Sequence, residues 1–99
     1  MHKILVLYDR PADEGHFRSY YANSHIPLAR QLPDLLSSEY SFSIEELGGG
    51  EGYFAIWSGE WADEAAANAA LASEIGQKVI ADSANYTQAG MRIIRYNTE

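Results

Sequence analysis

The sequence predicts an α+β fold with the element order β-α-β-β-α-β, in which two helices cover one face of a four-stranded antiparallel sheet. Short runs of β-forming residues alternate with longer stretches of helical periodicity. The strongest breakers, Pro11 and the glycine-rich stretch 48–52, divide the chain into two similar halves. At 99 residues the chain has the length of one domain, so we expect a single domain over 1–99.

The first half is predicted to contain a strand and a long helix. Residues 3–8 form an apolar run that ends at a polar turn, and Asp13 is a suitable N-cap for a helix from about Glu14 to about Leu32. Because Pro27 has no backbone N–H, we expect a kink or a break beside His25. One arc of the predicted helix carries Phe17, Tyr21, Ser24, His25 and Leu28.

A second strand completes the first half, and the second half contains the remaining elements. Residues 36–45 alternate strictly, with Leu36, Ser38, Tyr40, Phe42 and Ile44 on one face. Residues 53–61 form a strand that is apolar on both faces, with Phe54 and Ile56 pointing one way and Tyr53, Ala55, Trp57 and Trp61 the other. The remaining predictions are a helix capped by Asp63 through Ala72, a short helix from Ser73 to about Asp82, and a last strand over 91–96.

This topology places the first and third strands at the centre of the sheet, and these are the two strands with apolar residues on both faces. Helices cover only one face. We therefore expect a homodimer in which the second face packs against the same face of another copy.

Composition excludes several classes of function. Fourteen acidic residues against seven basic ones give a net charge of −7, which argues against nucleic acid and anionic membrane surfaces as partners. The absence of cysteine removes disulfides, thiolate metal sites and thiol nucleophiles. No apolar run is long enough for a signal peptide or a membrane span, so the expected location is cytoplasmic.

His25 is the strongest candidate for a catalytic residue. No two histidines have the spacing that places them together on a helix, so no metal site is expected. His25 lies at the margin of the apolar helix face, and an imidazole there is suited to general acid–base chemistry in a hydrophobic pocket. The alternative is a buried structural histidine bonded to backbone or to a tyrosine, and spacing alone favours that alternative.

Seven tyrosines and two tryptophans could line a cavity for a flat organic ligand. The best candidates for substrate binding are Tyr21, Tyr40 and Trp57, because each falls on a face expected to be buried. The alternative is that these aromatics fill the core and the dimer interface.

The residues Phe17-Arg18-Ser19-Tyr20-Tyr21, His25-Ile26-Pro27-Leu28-Ala29 and Pro33-Asp34-Leu35 resemble the F-x-x-Y-Y, H-x-P-L-A and P-G-L motifs of the EthD family, named for a protein of ethyl tert-butyl ether degradation. The segment from Ala70 through Asp82 and the pair Asn85-Tyr86 are also similar to that family. Asp34 departs from the pattern, since the family commonly has glycine there.

This resemblance implies a ferredoxin-like monomer that pairs into a dimeric α+β barrel. It also implies a small-molecule-binding protein, and specifically an enzyme without cofactor (isomerase, dehydratase, decarboxylase or oxidation-associated) that acts on a hydrophobic cyclic or aromatic-derived metabolite. In similar enzymes the histidine that matches His25 does acid–base work, which favours a pocket role for it. A non-catalytic binding or accessory protein is the alternative. Haem binding through His25 is a weaker one, because a second axial group and a basic patch are missing.

Overall fold

The computed structural model describes residues 1–99 and confirms the predicted α+β architecture. The four strands are β1 (His2–Tyr8), β2 (Ser37–Ser41), β3 (Ala55–Trp61) and β4 (Met91–Asn97). They form one antiparallel sheet in the order β2-β3-β1-β4, so the first and third strands are central as predicted. The helices are α1 (Glu14–Tyr20), α2 (Ile26–Ala29), α3 (Glu64–Ala72) and α4 (Glu74–Asp82), with a π turn (Tyr21–His25) before α2 and a 3₁₀ turn (Ser83–Asn85) after α4.

The two faces of the sheet differ in composition and burial. On the face that the helices cover, Val6 lies opposite Trp57, and Tyr8 lies opposite Ala55. The other face carries Leu5, Leu7 and Ile56 at its centre, and Ile94 and Tyr96 on β4. Phe54, which the alternation placed with Ile56, lies just before β3 and instead packs edge-on against Phe17 in the buried core. The alternation of a strand does not apply to Phe54, because β3 begins only at Ala55.

The predicted break near Pro27 takes the form of the π turn. The N–H of Ile26 donates to the carbonyl oxygen of Tyr21, five residues back. The wider turn shifts the buried stripe by one residue, so that Ile26 and Ala29 are buried after His25. Ser24, predicted on the buried face, is exposed for this reason.

The boundaries of the other elements follow from local hydrogen bonds. β2 ends at Ser41, earlier than the alternation predicted, because the Ser41 hydroxyl accepts from the N–H of Ser43 and turns the chain out of the ladder. The Asp63 carboxylate caps α3 through the N–H of Ala66, as predicted. Asp34 has φ of 57°, a left-handed conformation in which glycine is ordinarily favoured.

No helix in the structure combines the length and the apolar character needed to span a lipid bilayer.

Candidate functional site

A cavity of about 190 Å³ lies between the helix-covered face of the sheet and the helices α2 and α4. Thirteen of its 15 lining residues are hydrophobic. Ile80 on α4 and Ile93 on β4 line it while remaining 57% and 62% exposed, so they mark where the cavity opens to solvent. The lining residues are Ile4, Val6, Tyr8, His25, Ala29, Leu32, Trp57, Trp61, Leu71, Val79, Ile80, Ser83, Tyr86, Met91 and Ile93.

His25 reaches the cavity wall from the end of the π turn and pairs with Asp82, the last residue of α4. The distance from His25 Nδ1 to Asp82 Oδ2 is 2.9 Å, and the two side chains are 6% and 12% exposed. The other carboxylate oxygen, Oδ1, accepts hydrogen bonds from the Tyr20 hydroxyl at 2.7 Å and from Asn85 Nδ2 at 2.9 Å. Three donors therefore fix the carboxylate, and the carboxylate fixes the imidazole ring.

A chain of tyrosine hydroxyls approaches His25 from the opposite side. Tyr21 donates to the hydroxyl oxygen of Tyr8 at 3.3 Å, and the Tyr8 and Tyr86 hydroxyl oxygens are 3.0 Å apart. The Tyr86 hydroxyl lies 3.4 Å from His25 Nε2. Because the carboxylate of Asp82 requires a proton on Nδ1, we assign Nε2 as the acceptor and Tyr86 as the donor to it.

Burial and hydrogen bonding set the charges in this network. Burial lowers the pKa of His25 below its ordinary value of 6.5, against the opposing effect of the hydrogen bond to Asp82 and its charge. For Asp82 burial acts to raise the pKa, but the hydrogen bonds that it accepts outweigh burial and hold the pKa below 3.8. At neutral pH the pair is therefore a neutral imidazole beside a carboxylate.

The tyrosines are held in their protonated form. Burial raises the pKa values of Tyr8, Tyr21 and Tyr86 above 10.0. The hydrogen bond to the Asp82 carboxylate raises the pKa of Tyr20. The site thus offers one neutral base, Nε2, and hydroxyl donors around it.

The predicted site residues separate into two groups. His25 and Trp57 both line the cavity. Tyr21 is fully buried behind the wall, where its ring stacks on His25 with centroids 5.1 Å apart. Tyr40 touches Tyr21 edge-on but lines a separate depression of the sheet together with Lys3 and Glu39.

Sequence reasoning did not identify Asp82, Tyr86 or Tyr8 as functional residues. Asp82 stands 57 positions from His25, and Tyr86 stands 61 positions away, so no local spacing relates them. One signal was present. Asp82 is an acidic residue at the C-terminus of a helix, where the macrodipole disfavours negative charge.

The structure contains no group of three or more histidine, aspartate or glutamate side chains arranged to hold a metal ion. The residues at the site present one imidazole, one carboxylate that is already saturated with donors, and protonated phenols. These groups suit proton transfer on an organic molecule.

The chain is similar in sequence to a known protein, although no protein-family model matches it. The chain is 28% identical over 94 residues to an uncharacterized 11.0 kDa protein in the thcB-thcC intergenic region of Rhodococcus erythropolis, covering 95% of this chain and 91% of that protein.

Solved structures match over nearly the full length. An ethyl tert-butyl ether degradation (EthD) family protein from Bacillus halodurans superposes with a TM-score of 0.90 at 20% identity, covering 100% of this chain and 99% of that one. A dimeric ferredoxin-like protein from Thermobifida fusca gives 0.75 at 10% identity, over 98% and 90%. The cofactor-independent oxygenase SnoaB of Streptomyces nogalater gives 0.67 at 12% identity, over 99% and 92%. The chain therefore has the same fold as the EthD family protein and the dimeric ferredoxin-like protein.

Proposed function

We propose that this chain binds a hydrophobic cyclic or aromatic-derived metabolite in the cavity and catalyses proton transfer on it, with His25 as general acid and base and without a cofactor. The observation that carries the proposal is the orientation of His25. Asp82 holds Nδ1, while Nε2 and its partner Tyr86 belong to residues of the cavity wall. A neutral imidazole that is oriented by a carboxylate and sits in an apolar cavity has the features of a general base.

The roles of the residues follow from their proton states. Nε2 takes a proton from an acidic O–H or from a C–H next to a carbonyl, and the electron pair moves into the ligand. Asp82 stabilises the imidazolium that forms, because it already accepts from Nδ1 at 2.9 Å. Tyr86 donates to the ligand oxygen on which negative charge develops. Returning the proton from Nε2 to a different atom completes an isomerisation, and its delivery to a leaving hydroxyl completes a dehydration.

Two further reactions use the same residues. Decarboxylation uses the imidazolium to protonate the carbanion left by carbon dioxide, and it fits the site less well than the other reactions, because the His25 ring is neutral at neutral pH and no lysine or arginine lines the cavity to receive a carboxylate. Oxidation by dioxygen requires only that the base generate an electron-rich anion, and the similar protein SnoaB is described as a cofactor-independent oxygenase. Both belong to the acid–base role of His25.

One observation favours non-catalytic binding as the second candidate. The hydroxyl of Tyr86 lies within hydrogen-bonding distance of Nε2, so both ring nitrogens have partners in the free protein. If the protein only binds the metabolite, His25 contributes a hydrogen bond to it and transfers no proton.

Solvent deuterium exchange separates the two candidates without a known product. Cyclic ketones, lactones and phenols are incubated with the protein in deuterated water, and exchange at carbon is followed by proton NMR. A catalytic His25 accelerates exchange, and His25→Gln abolishes the acceleration while the ligand still binds. His16→Gln is the matched control, because His16 is exposed and its ring contacts only the backbone of Asn85 and the Tyr20 ring.

Exchange that survives in His25→Gln would contradict the catalytic role. Binding without exchange in the wild type, weakened moderately in His25→Gln, would establish the non-catalytic candidate in its place.

We also propose that the protein, as one domain over 1–99, forms a homodimer through the uncovered face of its sheet. The support is an apolar centre formed by Leu5, Leu7 and Ile56, and an Ile94 side chain that is 48% exposed in the single chain. Similar proteins from Jannaschia and Thermobifida fusca are described as dimeric. Sedimentation analysis is expected to give a dimer for wild type and a monomer for Ile94→Glu, and a wild-type monomer at high concentration would contradict the proposal.

A further inference from the structure

The cavity is small for a ligand site. A cavity of roughly 150 Å³ with apolar walls holds one benzene molecule, and this one measures about 190 Å³. Sites for drug-sized ligands usually occupy about 300–1,000 Å³. The space below the mouth therefore suits one six-membered ring with one or two small substituents.

The cavity wall carries no positive charge. None of its lining residues is lysine or arginine, and the mouth is formed by Ile80 and Ile93. The carboxylate of Asp82, which is bonded to the His25 ring, places a negative charge next to the wall. An anionic ligand would lose its hydration and find no cation, so the site disfavours carboxylates and phosphates.

The acceptor at His25 Nε2 is a polar group of the wall whose only hydrogen-bond partner is held loosely. Its contact with Tyr86 is 3.4 Å long, at the outer limit for a hydrogen bond. The Tyr86 hydroxyl has a shorter partner in Tyr8 at 3.0 Å. A ligand hydroxyl that donates to Nε2 can therefore take the place of Tyr86, whose O–H then donates to the ligand oxygen while its own oxygen keeps the contact with Tyr8.

We propose, on the basis of the proposed function above, that the ligand is an uncharged compound of a single ring that bears a hydroxyl group, a phenol or a cyclic enol. The ring occupies the apolar cavity, and its O–H donates to His25 Nε2.

Four probes test size, charge and donor separately by calorimetric titration at pH 7.5. The reference is 4-methylphenol, which is neutral at that pH. 4-Hydroxybenzoate adds a negative charge and is expected to bind at least about 100-fold more weakly, because the penalty for burying an unpaired carboxylate is large. 4-Methylanisole lacks the donor and is expected to bind about tenfold more weakly. 2-Naphthol adds a ring and is also expected to bind about tenfold more weakly.

A substitution at the mouth tests the charge argument from the side of the protein. Ile80 is 57% exposed, so Ile80→Lys keeps its charged end in water and places it beside the opening. We expect it to improve the affinity for 4-hydroxybenzoate relative to 4-methylphenol by roughly tenfold at low salt, and expect salt to remove the gain. Ile80→Gln is the matched uncharged control and is expected to leave the ratio unchanged.

The results distinguish this inference from the proposed function. The inference is overturned if the wild type binds 4-hydroxybenzoate, 4-methylanisole or 2-naphthol as tightly as it binds 4-methylphenol. His25-dependent exchange on another ligand would still leave the proposed function standing. If no compound of either series shifts the NMR signals of the His25 ring, both fail. Weak binding of all three analogues, with the charge effect reduced by Ile80→Lys and not by Ile80→Gln, supports the inference.

Discussion

Replacing Asp82 with asparagine is the sharpest test of the hydrogen-bond network. The carboxylate accepts from His25, Tyr20 and Asn85, whereas an asparagine side chain has one oxygen and an N–H₂ group that must face a donor. Hydrogen bonds to charged groups contribute about 1.5–3 kcal/mol, and the bond to His25 joins side chains that are only 6% and 12% exposed. We expect Asp82→Asn to lower the free energy of unfolding by about 2 kcal/mol at pH 7.5.

The pH dependence of this loss follows from the pKa shifts. The pKa of His25 is lowered by burial, so the folded state favours the neutral ring, and the stability this provides is lost as the pH falls from 6.5 through the folded-state pKa. Removing the carboxylate lowers the pKa of His25 further, which makes the variant lose more stability in this window than wild type. The pKa of Asp82 is itself below 3.8, so wild type loses its advantage when the pH falls through that folded-state value.

The difference in stability between the two proteins should therefore widen below pH 6.5 and narrow again below pH 3.8. Urea unfolding at a series of pH values, at fixed protein concentration, measures it. Glu51→Gln is the control, because Glu51 is exposed and makes no ion pair. A loss below about 0.5 kcal/mol with a pH profile parallel to that of wild type would refute the network as described.

The remaining predictions concern packing and the outer end of the network. Gly76→Ala is expected to destabilise the fold by about 1–2 kcal/mol in urea unfolding, because a Cβ there would meet the carbonyl oxygens of Ala70 and Leu71. This loss is expected although alanine favours helices over glycine by about 1 kcal/mol. A more stable variant would show that α3 and α4 are not packed this closely. Tyr20→Phe removes one hydrogen bond to Asp82, so the pKa of that carboxyl should rise in carbon-13 NMR titration. Its free energy of unfolding should fall by less than that of Asp82→Asn, and an unchanged carboxyl titration would argue against the contact.

The topology was predictable because its evidence is periodic and local. Strict alternation identified β2, and apolar residues on both faces identified β1 and β3 as central strands. The caps at Asp13 and Asp63 were also predictable, since a capping side chain reaches only three residues along the chain. Strand ends were less predictable, because β2 stops at a serine side-chain bond that alternation does not encode.

The first helix shows what a fixed period misses. A helical wheel at 100° per residue assumes one hydrogen-bond pattern throughout, and the π turn at Tyr21–His25 changes that pattern for a single turn. Proline predicted a disturbance beside His25 but not its form. The consequence was an exposed Ser24 and a buried Ile26.

The candidate site was predictable only in part, since its members meet through tertiary contacts. His25 was singled out by its place between an apolar face and Pro27, and Trp57 by its strand. Asp82 and Tyr86 join them because α4 and the 3₁₀ turn pack against α2 and the π turn, which no property of a single segment reports. A role in catalysis or substrate binding stays a prediction for all four predicted site residues, and Tyr21 and Tyr40 are not among the residues that line the cavity.

Three departures from ordinary local rules occur together at this site: a π turn in the first helix, an acidic residue at the C-terminus of α4, and hydroxyls of Tyr8 and Tyr86 within an apolar core. A stable core does not need them, because well-packed apolar side chains in place of a buried polar network are often neutral or stabilising. Such departures are expected where function sets the requirement. Each of these three departures acts on the two nitrogens of the His25 ring. The π turn carries the ring, Asp82 fixes the proton on Nδ1, and the Tyr86 hydroxyl contacts the acceptor at Nε2. Their convergence on one imidazole argues that the ring is positioned for proton transfer.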